Sequence, residues 1–394
     1  KKILVKNNDC IAIMENSYIY SNAKGNTKYS KIIELDAQII CNADWELLFD
    51  QLFKKNINDL LYLKKIISTV MNNNQKEFGI TAITKIRNYN EDKSFFANEL
   101  GYYYMSSGDY DKSVREFLNH LEKFPKHLRM INERIMSFPT DSDSMNKKII
   151  TILDNTNIIE SKIILADYYF KVENFEKAIS ILKNHNLLNQ LLLLAINLDQ
   201  LNRSVTANDL FMYLLRNGDE KIAQKAVFEF AKSLENRGLL KKTNLPISNF
   251  MDNNSFFSSP FVRINESESI LMHQAMTLYD SLSINNGNLD SAFRLSEIQF
   301  RALGDLDSAH DLYMEIYKSS KNKDLKLKTI NRIVDVLLAK GDMFASTELI
   351  SKELDSNIWN DDQKLILRMK YNQILFYKSE LDFLFDDLTI ISKE

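Results

Sequence analysis

The stretch Asn98–Pro125, NELGYYYMSSGDYDKSVREFLNHLEKFP, constrains this chain more than any other, because later stretches repeat its plan. Its apolar and small residues recur at helical spacing on both sides of the turn Ser107-Gly108-Asp109-Tyr110. Gly108 lets the backbone reverse, Asp109 suits the start of a second helix, and Pro125 lies where that helix must stop. The stretch therefore reads as a helical hairpin. Leu100, Gly101 and Tyr104 share one face of its first helix, and Ser113, Phe117 and His120 share one face of its second. Small side chains at Gly101 and Ser113 let the two helices approach closely, while Tyr104 and Phe117 fill the space beside them.

The same intervals return further along. Ala178 follows Ala166 as Ser113 follows Gly101, with Leu165 and Tyr169 before and Leu182 after; Ala207 and Phe211 follow Ala195 and Leu198 in the same way. Gly304-Asp305 and Gly341-Asp342 mark the internal turns of two later units, with Ala309 and Tyr313, then Ser346 and Ile350, in their second helices. This pattern resembles the tetratricopeptide repeat, whose unit of about 34 residues carries L-G-x-x-Y in its first helix and a small-x-x-x-aromatic run in its second. The resemblance spans about 94 to 392, clear in roughly four units. It implies an all-α fold: a right-handed superhelical solenoid of antiparallel helix hairpins, about seven to eight in number.

The flanks and one interior stretch depart from the plan. In residues 1 to 40, Ile3, Val5, Ile11, Ile13, Tyr18 and Tyr20 alternate with polar residues before a turn signal at Asn22–Asn26, which points to a short extended or β segment, or to the end of an upstream domain. Residues 41 to 93 are periodic without the small-residue signature and read as a degenerate repeat or cap. A Pro, Ser and Asn-rich stretch at about 238 to 264 interrupts the solenoid of 94 to 394. The parity of the later helices makes it an insertion between the two helices of one repeat.

Composition agrees with an all-α reading, since 9 Gly and 4 Pro are too few for the turns of a many-stranded β protein. With 50 Lys and Arg against 53 Asp and Glu, the net charge of −3 offers no field to draw nucleic acid. No apolar run approaches the roughly 20 residues of a membrane span. Cys10 and Cys41 have no neighbour at ligand spacing, and a free, buried thiol at each is the expectation. The chain begins Lys-Lys-Ile without Met, which suits a fragment or a processed form, so the compartment stays open between cytoplasm and periplasm.

No phosphate loop, nucleophile elbow or H-E-x-x-H occurs, and the five His are scattered singly, so neither a cofactor nor a metal is expected. Asp361-Asp362 and Asp386-Asp387 fall at helix starts or on solvated faces rather than in a catalytic cleft. Function then falls to the concave groove, lined in stacked hairpins by first helices. Projected inward, these helices place Asn98, Tyr102 and Met105, then Ile163, Asp167 and Phe170, then Arg294, Ile298 and Arg301, and last Lys328, Asn331 and Asp335. Arg294, Arg301, Lys328 and Asn331 make either a cationic patch for peptide carboxylates or a set of ordinary solvated charges. Phe256 and Phe257, in the insertion, make either a partner-facing hook or a loop folded back on the solenoid.

The resemblance implies a non-catalytic scaffold or adaptor that holds a partner peptide or helix. The alternatives are a periplasmic or membrane-anchored repeat scaffold of an envelope or polysaccharide-export assembly and, more remotely, a helical-toroid glycosidase.

Overall fold

The computed structural model describes residues 9–23, 25, 27–239, 261–262, 264 and 269–391. Among these, 21 α-helices, one short 3-10 turn (Pro125–His127) and one π turn account for all regular secondary structure beyond one isolated bridge, Leu239 to Ile264. The protein is an all-α helical repeat. Its chain divides into two compact units, Lys1–Leu187 and Leu188–Glu394.

The N-terminal unit opens with α1 (Cys10–Ala23) and α2 (Lys28–Ile40), followed by α3 (Trp45–Lys55), α4 (Leu60–Asn72) and α5 (Lys76–Asn90). The expectation of an extended segment over residues 1–40 therefore fails for its described residues, which are helical over Cys10–Ala23 and Lys28–Ile40. Ile11, Tyr18 and Tyr20, which supplied the alternation, are exposed, and the residues that pack are Ile13, Ser17 and Ser21, one helical turn apart. Small polar side chains on a packing face hide a helical period from any reading based on hydrophobicity. Thr27 caps α2 through its side chain, which accepts from the Ser30 amide. Ile3 and Val5, which also entered that expectation, lie outside the described residues.

Two hairpins follow, α6 (Ala97–Ser106) with α7 (Tyr110–Lys123) and α10 (Ile159–Lys171) with α11 (Phe175–Asn184); between them α8 (Leu128–Met136) and α9 (Asp143–Asp154) pack chiefly on α7 and α10. In the first, Gly108 turns the chain with φ +79°. The small-residue contact is direct: the Ser113 hydroxyl donates to the Gly101 carbonyl at 2.8 Å, and a Cβ on Gly101 would stand 2.6 Å from the buried Phe117 ring. One core runs through Val114, Phe117, Ile131, Ile149, Leu165 and Tyr168, so each hairpin buries its neighbour's apolar face.

The C-terminal unit repeats the plan in five pairs. They are α12 (Leu188–Gln200) with α13 (Ser204–Asn217), α14 (Glu220–Gly238) with α15 (Ser269–Asn286), α16 (Leu289–Glu297) with α17 (Leu306–Ser319), α18 (Lys323–Lys340) with α19 (Met343–Leu354), and α20 (Asp361–Tyr377) with α21 (Leu381–Ile391). Helix α16 runs on into a π turn, Ile298–Leu303, before Gly304 reverses the chain at φ +70°. The carbonyl of Arg301, among the last residues of that turn, accepts from the Val262 amide at 2.9 Å. Phe261 lies edge-on to Phe300, with ring centroids 5.5 Å apart. The end of the 238–264 stretch is thereby tied to a first helix.

Candidate functional site

The inward faces of the first helices in the C-terminal unit carry a ladder of ion pairs, built mainly between successive repeats. Glu235 on α14 is 4% exposed and receives Nη2 of Arg294 on α16 at 2.6 Å. Glu297, at the end of α16 and 6% exposed, receives Nε of Arg332 on α18 at 2.6 Å and Nη1 of Arg301 at 3.0 Å. Arg332 also reaches Asp335 at 2.9 Å, and Asp335 holds Lys370 on α20. Tyrosines of the second helices complete the buried carboxylates. Tyr279 on α15 donates to Glu235 at 3.0 Å, and Tyr313 on α17 donates to Glu297 at 2.6 Å.

Each buried Glu thus joins its own hairpin to the first helix of the next. Burial alone would raise Glu297, but Arg332, the Tyr313 hydroxyl and Arg301 outweigh it and hold its carboxyl below the usual range. Burial works the other way on Lys370, whose ammonium is pushed below the ordinary lysine range despite its Asp335 partner. Both tyrosines are driven upward, first by burial and then by the carboxylate each one faces, so they stay neutral donors.

Beside the top of this ladder lies an open cleft of about 710 Å³ between α18 and α20, reached also by Met343 at the start of α19 and by Phe261. Its walls are largely apolar. Leu365, Ile366 and Tyr377 are 43%, 47% and 45% exposed, and Leu338 and Met369 stand opposite and beside them. Asn331, Arg332, Asp335, Lys370 and Gln373 supply the polar lining. Large side chains left in water on a concave surface form a site of the size and character that takes up an apolar group with a few polar contacts.

The structure separates the residues singled out in sequence. Arg294 and Arg301 carry buried carboxylate partners and do not form a free cationic patch. Ile298 is 2% exposed and belongs to the core with Tyr279 and Leu295, not to the groove surface. Lys328 is exposed, and Asn331 lines the cleft. In the N-terminal unit Tyr102 is 54% exposed, beneath the Arg134 guanidinium at 5.6 Å from its ring. Phe170 is half-buried against Phe175, with ring centroids 5.3 Å apart. Phe256 and Phe257 lie outside the described residues.

The N-terminal unit has its own ladder of first helices, in which Arg134 donates to Asn98 at 2.7 Å and Asn132 donates to Asp167 at 2.6 Å. His120 is buried and shares a hydrogen bond with His127, 2.8 Å between Nε2 and Nδ1, as a satisfied core histidine does. Among the described residues no group of three or more His, Cys, Asp or Glu is placed to hold a metal ion. Nor is any helix there long and apolar enough to cross a membrane.

Sequence reasoning missed Glu235, Glu297, Arg332, Lys370 and the wall of Leu365, Ile366 and Tyr377. The ladder has a readable signal: Glu297 and Arg332, like Asp335 and Lys370, are opposite charges 35 residues apart, one repeat along. The wall has a weaker one, an excess of apolar residues around a helix that buries only one side.

No family model matches this chain, and no curated protein matches it in sequence. Among solved structures, it is similar to a chain in the structure of Naa15/Naa10 bound to HypK-THB, at 11% identity and a TM-score of 0.26. That similarity covers 97% of this chain and 63% of the other, so the chain spans less than two thirds of that neighbour's length. What the cleft can hold therefore follows from its own residues.

Proposed function

We propose that this chain is a non-catalytic scaffold of the tetratricopeptide type, a right-handed superhelix whose C-terminal unit holds a partner peptide or helix in the cleft between α18 and α20. The observation that carries this reading is the exposed wall of Leu365, Ile366 and Tyr377 around a cleft of about 710 Å³. The contact is led by apolar anchors, because the nearby cations Arg294, Arg301, Arg332 and Lys370 already have carboxylate partners. Asn331 in the cleft lining adds a polar contact, and a carboxamide can serve a peptide backbone as donor and acceptor together.

The test replaces Leu365 and Ile366 together by Glu, which their exposure should permit without loss of helicity. A photocrosslinking residue at Tyr377 then captures the partner, with Val205, 78% exposed on α13, as the control position. A synthetic peptide from the captured segment should bind the parent chain and lose at least about tenfold in affinity to the double variant, the scale expected for charging an apolar pocket. Because the contact is apolar, its affinity should change little between low and physiological salt. Equal affinity for parent and variant, or the same crosslinks from Val205 as from Tyr377, would remove the cleft as the binding site.

A further inference from the structure

We propose that Cys10 and Cys41 are a disulfide-forming pair that pins α1 to α2. Cys10 is the first residue of α1 and Cys41 directly follows α2, so the two stand together at the open end of an antiparallel hairpin whose other end is the turn through Gly25. The Cys41 thiol donates to the Cys10 carbonyl at 3.7 Å across 31 positions of sequence. Both side chains are half-buried and free, within reach of a small disulfide reagent. Burial, then the Cys10 thiol within hydrogen-bonding reach, pushes Cys41 up to about 11, so the Cys41 thiol is slow to react.

The pair has something to hold. Helix α1 buries only Ile13, Ser17 and Ser21, and its main packing partner is α2. One buried aliphatic side chain and a few small contacts place it at the low-stability end of the fold. A bond between the two open ends restrains the undocked state of α1, which is where a crosslink acts.

The chemistry is ordinary exchange with a low-molecular-weight disulfide such as glutathione disulfide. The Cys10 thiolate attacks one glutathione sulfur and releases one glutathione thiolate, leaving a mixed disulfide. The Cys41 thiolate then attacks the Cys10 sulfur and releases the second. The two protein thiols lose their protons to solvent and are oxidised by two electrons, and glutathione disulfide is reduced to two glutathione thiols.

In the test, the full chain is equilibrated at mildly alkaline pH in glutathione buffers of graded ratio, acid-quenched and analysed by intact mass and non-reducing peptide mapping. The expected product has lost two hydrogens and yields a crosslinked peptide joining Cys10 to Cys41. Amide exchange over Cys10–Ala23 should slow by roughly two to three orders of magnitude on oxidation, the scale on which closing a loop of this length restrains the open state. Cys41→Ser should stop at a glutathione adduct on Cys10. The proposal is overturned if the parent chain carries glutathione on both cysteines without closing, if the crosslink joins two chains, or if the closed form leaves α1 exchange unchanged.

Discussion

Replacing Glu297 by Gln tests whether the ladder of first helices holds the C-terminal unit in register. The Glu297 side chain is 7% exposed and accepts from Arg332 Nε at 2.6 Å, Arg332 Nη2 at 3.2 Å, Arg301 Nη1 at 3.0 Å and the Tyr313 hydroxyl at 2.6 Å. Gln keeps the shape but loses the charge, and whichever oxygen its amide nitrogen replaces, it sets a donor against at least one arginine nitrogen. Breaking a buried pair from one side costs about 3–5 kcal/mol. Arg301 and Arg332 are 30% and 29% exposed, so water recovers part of their solvation, and a loss of about 2–3 kcal/mol is expected.

The companion variant Arg332→Gln leaves Arg301 on the carboxylate and should cost less, about 1–2 kcal/mol. The double variant should recover part of the sum, with a coupling of about 1–2 kcal/mol. Because repeats couple chiefly to their neighbours, a single global transition is the wrong observable. Native-state amide exchange over α16 and α18 reads the local opening free energy directly. A Glu297→Gln cost below about 0.5 kcal/mol together with additive single effects would refute the reasoning: the carboxylate would then be solvated, and the spacing of α16 and α18 would come from apolar packing alone.

Two further outcomes follow from the same structure. Ala309 is fully buried in a core with Phe300 and Tyr313, so Ala309→Leu should overpack it and cost roughly 1–3 kcal/mol, read from native-state amide exchange over α16 and α17. Parent-like exchange there would remove the close helix contact. His120 is held below its ordinary value of 6.5, first by burial and then by the neighbouring His127. The unfolded chain therefore binds the proton more readily, so stability should fall as pH drops from 6.5 through the depressed folded value. Amide exchange over α7 at pH 7.5 and 5.5 checks this, and a His120→Gln variant should flatten the difference.

The hairpin plan of this protein was legible in its sequence because every signal for it is local. Helical period, small residues at matched intervals and turn residues such as Gly108, Gly304 and Gly341, all at positive φ, act over a dozen residues or fewer. The first two helices escaped for an equally local reason, since Ser17 and Ser21 do the packing while Ile11, Tyr18 and Tyr20 face water. Tertiary structure alone decided what the first helices offer a partner. Whether Arg294 and Arg332 point at solvent or at a buried carboxylate depends on how one hairpin stacks on the next, and that is set by partners 59 and 35 residues away. Helical projection gives the side of a helix and not its neighbour, so Arg294, placed in the groove as a free donor, proved to be a bond between repeats. The cleft arises where α18 and α20 leave Leu365, Ile366 and Tyr377 uncovered, a property of two helices together that neither segment carries by itself.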